Sequence, residues 1–69
     1  MSEPTITFEN VEVVASSDLA MQVRVQGKVV FIGSAQPLRG TTIRRLGQRG
    51  RLVLSLWTVR ELGLSAPAA

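Results

Sequence analysis

Large apolar and polar residues alternate along much of the chain, which is the pattern of half-buried β-strands. The clearest alternation covers residues 19–25, where every second residue is a large apolar one. Residues 5–15 are rich in β-branched side chains, but their apolar positions change parity across Glu9 and Asn10. This change of phase predicts a bulge or a bend inside the first strand.

Three further strands are predicted after residue 28. Residues 29–32 are apolar at every position, which is typical of a central strand with both faces covered, and residues 26–28 form the hairpin turn before it. Residues 41–46 and 51–56 are predicted to pair through a turn at residues 47–50.

The end of the chain changes from strand to helix. Ser55 is placed to cap a short helix that begins at Leu56 or the next residue and ends at Leu62. Gly63 then occupies the left-handed position after the helix, and Leu64 folds back.

These elements predict a mainly β fold: a small barrel or rolled antiparallel sheet of about five short strands with a short C-terminal helix. The 69 residues form one domain, with residues 1–4 and 65–69 as flexible tails. Because the core is small, homo-oligomerisation is left open, with a second chain completing an exposed sheet edge.

The composition removes most catalytic chemistry. The chain has no Cys, His or Tyr, so disulfides, zinc ligation and His-based nucleophiles are excluded. It also shows no paired carboxylates and no phosphate-binding glycine loop. We therefore expect no catalytic residue, no metal site and no cofactor, and a protein that is not an enzyme.

Membrane insertion and export are not expected either. The longest uninterrupted run of aliphatic and aromatic residues is residues 29–32, far below the roughly 20 residues that span a bilayer. The first four residues show neither the basic nor the apolar part of a signal peptide. The sequence predicts a cytoplasmic protein.

The net charge of +3 conceals an uneven distribution. Four acids and no base precede residue 19, whereas all eight basic residues and only one acid follow it. Such clustering attracts nucleic-acid phosphates or an acidic protein, and a guanidinium matches phosphate in shape. The predicted phosphate-binding surface consists of five arginines close in sequence: Arg39, Arg44, Arg45, Arg49 and Arg51.

Residues 41–64 resemble the swapped-hairpin DNA-binding family of the AbrB and MazE type. The similar features are the basic residues 43–45 (Ile-Arg-Arg), the turn and residues 50–54 (Gly-Arg-Leu-Val-Leu), and the ending at residues 60–64 (Arg-Glu-Leu-Gly-Leu). The resemblance implies an intertwined dimer and DNA rather than RNA as the ligand. It implies DNA contacts for Arg44, Arg51 and Arg60, and Arg45 matches a further basic position.

A protein-interaction or accessory module is the alternative hypothesis. Trp57 and Phe31 are possible platforms for base stacking. Because the chain has only three aromatic residues, Phe8 and Phe31 are assigned to the core, whereas Trp57 lies where strand passes into helix and is a candidate interface residue. In this interpretation an exposed strand edge or the Trp57 helix region binds a partner, such as an acidic protein.

Overall fold

The computed structural model describes residues 4–65, and the predicted tails lie almost entirely outside them. The described residues form four strands and one helix: β1 (Thr5–Ser16), β2 (Ala20–Val25), β3 (Lys28–Gly33), β4 (Arg49–Ser55) and α1 (Leu56–Glu61). All strand pairs are antiparallel, and the order across the sheet is β3–β2–β1–β4. The predicted mainly β fold with a short C-terminal helix is confirmed.

The prediction of five strands and a closed barrel is wrong for the described residues, which form four strands in an open sheet. Thr41 and Thr42 bond to the free edge of β4, and the chain then turns at residues 45–48 beside β1, so residues 41–46 form no strand. The reason is that threonine hydroxyls replace backbone carbonyls here. The N–H of Val53 donates to Thr41 Oγ1 at 2.9 Å, and that of Arg51 donates to Thr42 Oγ1 at 3.0 Å.

The turn before β4 also differs from the predicted turn at residues 47–50. The N–H of Gln48 donates to the carbonyl of Arg45 at 3.1 Å, and β4 begins at Arg49. Gln48 Oε1 accepts hydrogen bonds from the backbone N–H groups of Arg44 and Arg45, at 2.6 and 2.9 Å. This side chain fixes the turn two residues earlier than the glycines suggest.

The predicted phase change in β1 is confirmed. The pairing of β1 with β4 shifts between Phe8 and Val11, and Asn10 adopts a left-handed φ of 56°. Phe8 and Val11, on either side of the bulge, are both buried. The extra residue therefore allows one strand to keep facing the core on both sides of a bend.

The prediction that residues 29–32 form a central strand is wrong, because β3 lies at the edge of the sheet. Ile32 is fully buried, but Phe31 is 64% exposed and Val29 is 51% exposed. The assignment of Phe31 to the core is therefore also wrong. An apolar run places apolar side chains on both faces of a strand, but it does not show that both faces are covered. In β3 only one face is covered.

One face of the sheet, the inner face, carries the core. Leu19 is not part of it, contrary to the alternating pattern, because it precedes β2 and is 80% exposed. The connection between β3 and β4 covers one end of this face through Ile43, and α1 with the residues after it covers the other. The core consists of Phe8, Val11, Val13, Met21, Val23, Val25, Ile32, Ile43, Leu52, Leu54, Val59 and Leu64.

Both predicted ends of the helix are confirmed. Ser55 Oγ accepts a hydrogen bond from the Thr58 N–H at 3.2 Å, which satisfies a donor in the first turn. Gly63 has a φ of 71°, and the Leu64 N–H donates to the Val59 carbonyl at 3.1 Å. This is a Schellman ending, which turns the buried Leu64 back into the core.

Candidate functional site

The face of the sheet opposite the core, here called the outer face, carries a row of charged side chains. It is open except at Val53, which is buried. Glu12 on β1 pairs with Arg24 on β2 on one side and with Arg49 on β4 on the other. Side chains alternate between the two faces of a sheet. The neighbours of Glu12 and of Arg24 along their strands point into the core, so both side chains point outward. Arg49 is paired with Glu12 and therefore lies on the same face.

Glu12 connects the two arginines through a single carboxylate oxygen. Its Oε1 lies 3.0 Å from Nη1 of Arg24 and 3.4 Å from Nη2 of Arg49. The arginine side chains remain 58% and 64% exposed, whereas that of Glu12 is 32% exposed. The carboxylate is thus partly covered by the two guanidinium groups, which themselves stay open to solvent.

A third arginine stands on the same face. Arg51 follows Arg49 by two positions on β4 and therefore points the same way, with its Nε 3.5 Å from Oε1 of Glu9. Together with Arg24, these arginines place three guanidinium groups beside two carboxylates. The outer face consequently keeps an excess of positive charge despite its ion pairs.

A polar cleft of about 440 Å³ opens next to this row. It forms because the pairing of β1 with β2 begins only at Glu12, so that the earlier part of β1 diverges from the end of β2. Asn10 at the bulge and Gln26 at the β2–β3 turn line the cleft together with Arg24 and Arg49. Glu9 and Glu12 line it as well, so the cleft presents guanidinium and amide donors next to two carboxylates.

Phe31 adds an aromatic ring to the outer face. It pairs with Gln22 on β2, one row away from the pair formed by Val29 and Arg24. A hollow of about 100 Å³ lies beside the ring and is lined in part by Ala15, Ala20 and Gln22. An exposed ring next to small side chains provides a flat apolar surface, which is the requirement for stacking a planar group.

The six arginines predicted to bind nucleic acid do not lie on one surface. Only Arg49 and Arg51 lie on the outer face. The remaining four lie outside the strands, and within residues 4–65 their side chains form no ion pair shorter than 4.0 Å. Arg44 lines a small pocket of about 90 Å³ at the end of the inner face covered by Ile43. The others outside the strands are Arg39, Arg45 and Arg60.

Trp57 lies on α1 and is 66% exposed. Its indole is thus accessible in the isolated chain, and its assignment as an interface residue stays a prediction.

Arg24 and Glu12 are not among the predicted site residues, and Phe31, a possible stacking platform, is assigned to the core. The alternation of residues 19–25 does place Arg24 on the solvent side of its strand. It does not reveal that β1 lies between β2 and β4, and this order is what brings Arg24 and Arg49 to one carboxylate.

Within residues 4–65, no group of three or more acidic, His or Cys side chains is arranged to hold a metal ion. The one helix described there is too short to cross a bilayer.

Comparisons with protein-family models, with curated proteins and with solved structures gave no significant match. Fold and site therefore define the chain as a small open-sheet β protein with an arginine-bearing outer face.

Proposed function

We propose that this chain binds single-stranded nucleic acid on the outer face of its sheet. The observation that carries the proposal is the exposed Phe31 ring on the same open face as Arg24 and Arg49. Single strands are bound by a positively charged surface that follows the backbone, together with aromatic side chains on which bases stack. Both features occur here on one face.

The ion pairs of the outer face do not block phosphate binding. Exposed pairs of this kind stabilise a protein by only about 0–1 kcal/mol, so a guanidinium can exchange its carboxylate for a phosphate at small cost. Arg24, Arg49 and Arg51 are each at least half exposed and need little rearrangement to reach a ligand. Arginine also presents a planar fork of donors that matches phosphate.

The aromatic ring favours a single strand over a duplex. A base stacks on Phe31 only if its own face is free, and in a duplex the neighbouring base pairs cover that face. Stacking on one aromatic side chain contributes about 1–3 kcal/mol and tolerates any base. The proposed activity is therefore binding with little sequence preference, in which the phosphates supply the salt-dependent part of the affinity.

The resemblance of residues 41–64 to the swapped-hairpin family supports a different arrangement on the same chain. It makes DNA the expected ligand and assigns contacts to Arg44, Arg51 and Arg60. Only Arg51 belongs to both arrangements, so substitutions at the other positions separate them.

A salt-titrated binding measurement tests the proposal. Fluorescence anisotropy is recorded for labelled single-stranded DNA, single-stranded RNA and duplex DNA as the salt is raised. We expect single strands to bind more tightly than the duplex, with a slope of log affinity against log salt of about −2 for three phosphate contacts. Phe31→Ala should weaken binding about tenfold and leave the slope unchanged. Absence of binding to every probe at low salt contradicts the proposal.

A further inference from the structure

The two edges of the sheet differ in whether another part of the chain covers them. The edge of β4 is covered by the preceding connection, in which the N–H groups of Leu38 and Thr42 donate to the carbonyls of Val53 and Arg51 at 2.9 Å. The edge of β3 has no such cover within residues 4–65. An uncovered strand edge is a template for pairing with another chain.

The β2–β3 hairpin determines which backbone groups β3 leaves open. Its turn residues Gln26 and Gly27 both have positive φ, and Val25 pairs with Lys28 to close the hairpin. The residues that close such a turn exchange hydrogen bonds, so bonded positions alternate along the strand from Lys28. The N–H of Ser34, which donates to the Leu19 carbonyl at 2.9 Å, continues this alternation.

Val29 and Phe31 therefore direct their N–H and C=O groups away from the sheet. Among the described residues nothing accepts from or donates to these groups. The next outward position, Gly33, is already occupied: its N–H donates to Gln36 Oε1 at 2.7 Å and its carbonyl accepts from the Gln36 N–H at 3.0 Å. The open part of the edge is thus limited to two residues.

We infer that the partner of this edge is a second copy of the chain, with β3 pairing antiparallel to the β3 strand of the other copy. A twofold axis at Val30 places Val29 opposite the other copy's Phe31, and Phe31 opposite the other copy's Val29. Every open backbone group is then used, and four hydrogen bonds form. A register centred on Phe31 would need the N–H and carbonyl of Gly33, which already bond to Gln36. A register centred on Val29 would need those of Gly27, which lies in the turn.

The side chains along the β3–β3 contact, here called the seam, are compatible with those of the second copy. Val29 and Phe31 are apolar and at least half exposed, so pairing removes apolar surface from water. Lys28 comes to lie opposite Ile32 of the other copy, and its Nζ donates to the Gly63 carbonyl at 3.3 Å. The two Arg24 residues are separated by three strand spacings, about 14 Å, which exceeds the screening length of about 10 Å at moderate salt.

The seam is short, so the dimer is reversible. Pairing over a few residues buries less than the roughly 1,600 Å² of a standard interface. We therefore expect the population of dimer to rise with protein concentration. This inference does not rest on the proposed function: both involve Phe31, but the dimer uses the backbone of β3, whereas nucleic-acid binding uses the Phe31 ring and the arginines.

A single-cysteine series tests the register, since the natural chain contains no cysteine. The two Val30 residues face each other in a non-hydrogen-bonded pair, with Cα atoms about 4.5 Å apart, within the range that a disulfide spans. Val29→Cys and Phe31→Cys meet their own copies only diagonally, at about 7–8 Å. Under mild oxidation Val30→Cys should give covalent dimer at least about tenfold faster than these two, and than Trp57→Cys on the exposed helix.

Sedimentation velocity over a range of concentrations completes the test. Val29→Pro removes an outward N–H and leaves the β2–β3 ladder intact, so it should abolish the dimer, whereas Val29→Thr keeps the N–H and should retain it. The cysteine series decides the question even if the proline variant does not fold. A wild-type chain that stays monomeric at all concentrations, or a Val30→Cys variant that crosslinks no faster than Trp57→Cys, overturns the inference.

Discussion

Arg24 and Glu12 face each other across β2 and β1, with Nη1 and Oε1 only 3.0 Å apart. The same carboxylate oxygen also contacts Arg49 from the opposite strand. Glu12 therefore orders the two guanidinium groups and at the same time competes with a phosphate for them. The affinity for nucleic acid should therefore depend on the charge at position 12.

Replacing Glu12 by Gln should strengthen nucleic-acid binding. The substitution removes a negative charge between Arg24 and Arg49 and keeps the size of the side chain. We expect the affinity for a single strand to rise roughly fivefold at low salt, the effect of about 1 kcal/mol of Coulomb energy. Anisotropy titration measures the affinity. A decrease in affinity would show that the carboxylate is needed to position the arginines more than it competes.

The same substitution should leave the stability of the fold almost unchanged. The arginine partners are more than half exposed, and pairs of this kind contribute about 1 kcal/mol or less. Urea denaturation of the Glu12→Gln variant measures this directly. A much larger loss of unfolding free energy would place Glu12 in the structural framework of the sheet and not in a ligand site.

Gly50→Ala should destabilise the protein by about 1–3 kcal/mol through overpacking. A Cβ at this position would lie 2.5 Å from Thr42 Oγ1 and 3.3 Å from Ile43 Cγ2, so it pushes the connection away from β4. Gly33→Ala is the matched control, because its Cβ meets Gln36 no closer than 3.6 Å. Equal stability of the two variants in urea would contradict this description of the β4 edge.

Asn10 should tolerate Gly but not Val. Its φ of 56° is a left-handed conformation that costs a β-branched residue about 1–2 kcal/mol and costs glycine nothing. Thermal unfolding of Asn10→Val and Asn10→Gly compares the two. If Asn10→Val is as stable as the wild type, the bulge is not formed at this residue in solution.

Ser55→Ala should lower the unfolding free energy by about 1 kcal/mol, the usual effect of removing a helix cap. The variant leaves the Thr58 N–H without its acceptor and also removes the 3.0 Å contact between the two hydroxyls. Ser34→Ala serves as the control, since Ser34 is exposed and its hydroxyl has no hydrogen bond to any described residue. Equal urea midpoints for the two variants would rule out a stabilising cap at Ser55.

Local features of this fold could be predicted from the sequence because short-range chemistry determines them. The parity change around Asn10 indicated the bulge, and the serine and glycine at the two ends of α1 indicated its cap and its Schellman ending. Each of these depends on residues within a few positions of one another, whose spacing is visible in the chain.

Features that depend on strand order could not be predicted in this way. The sequence assigns Phe31, one of only three aromatic residues, to the core, yet β3 is an edge strand and one of its faces is open. Residues 41–46 resemble a strand in composition, but threonine hydroxyls satisfy the edge of β4 without one. The meeting of Arg24 and Arg49 at Glu12 likewise follows from the order β2–β1–β4.

The most direct test of the outer face compares two double variants of equal net charge. Arg24→Gln/Arg49→Gln removes two arginines from this face, whereas Arg44→Gln/Arg60→Gln removes two arginines that lie elsewhere. In a salt titration with single-stranded DNA and RNA, we predict that the first variant lowers the magnitude of the slope by about 1.4, or two phosphate contacts. The second should retain the wild-type slope. Equal losses in both variants, or a loss confined to the second, would contradict binding at the outer face.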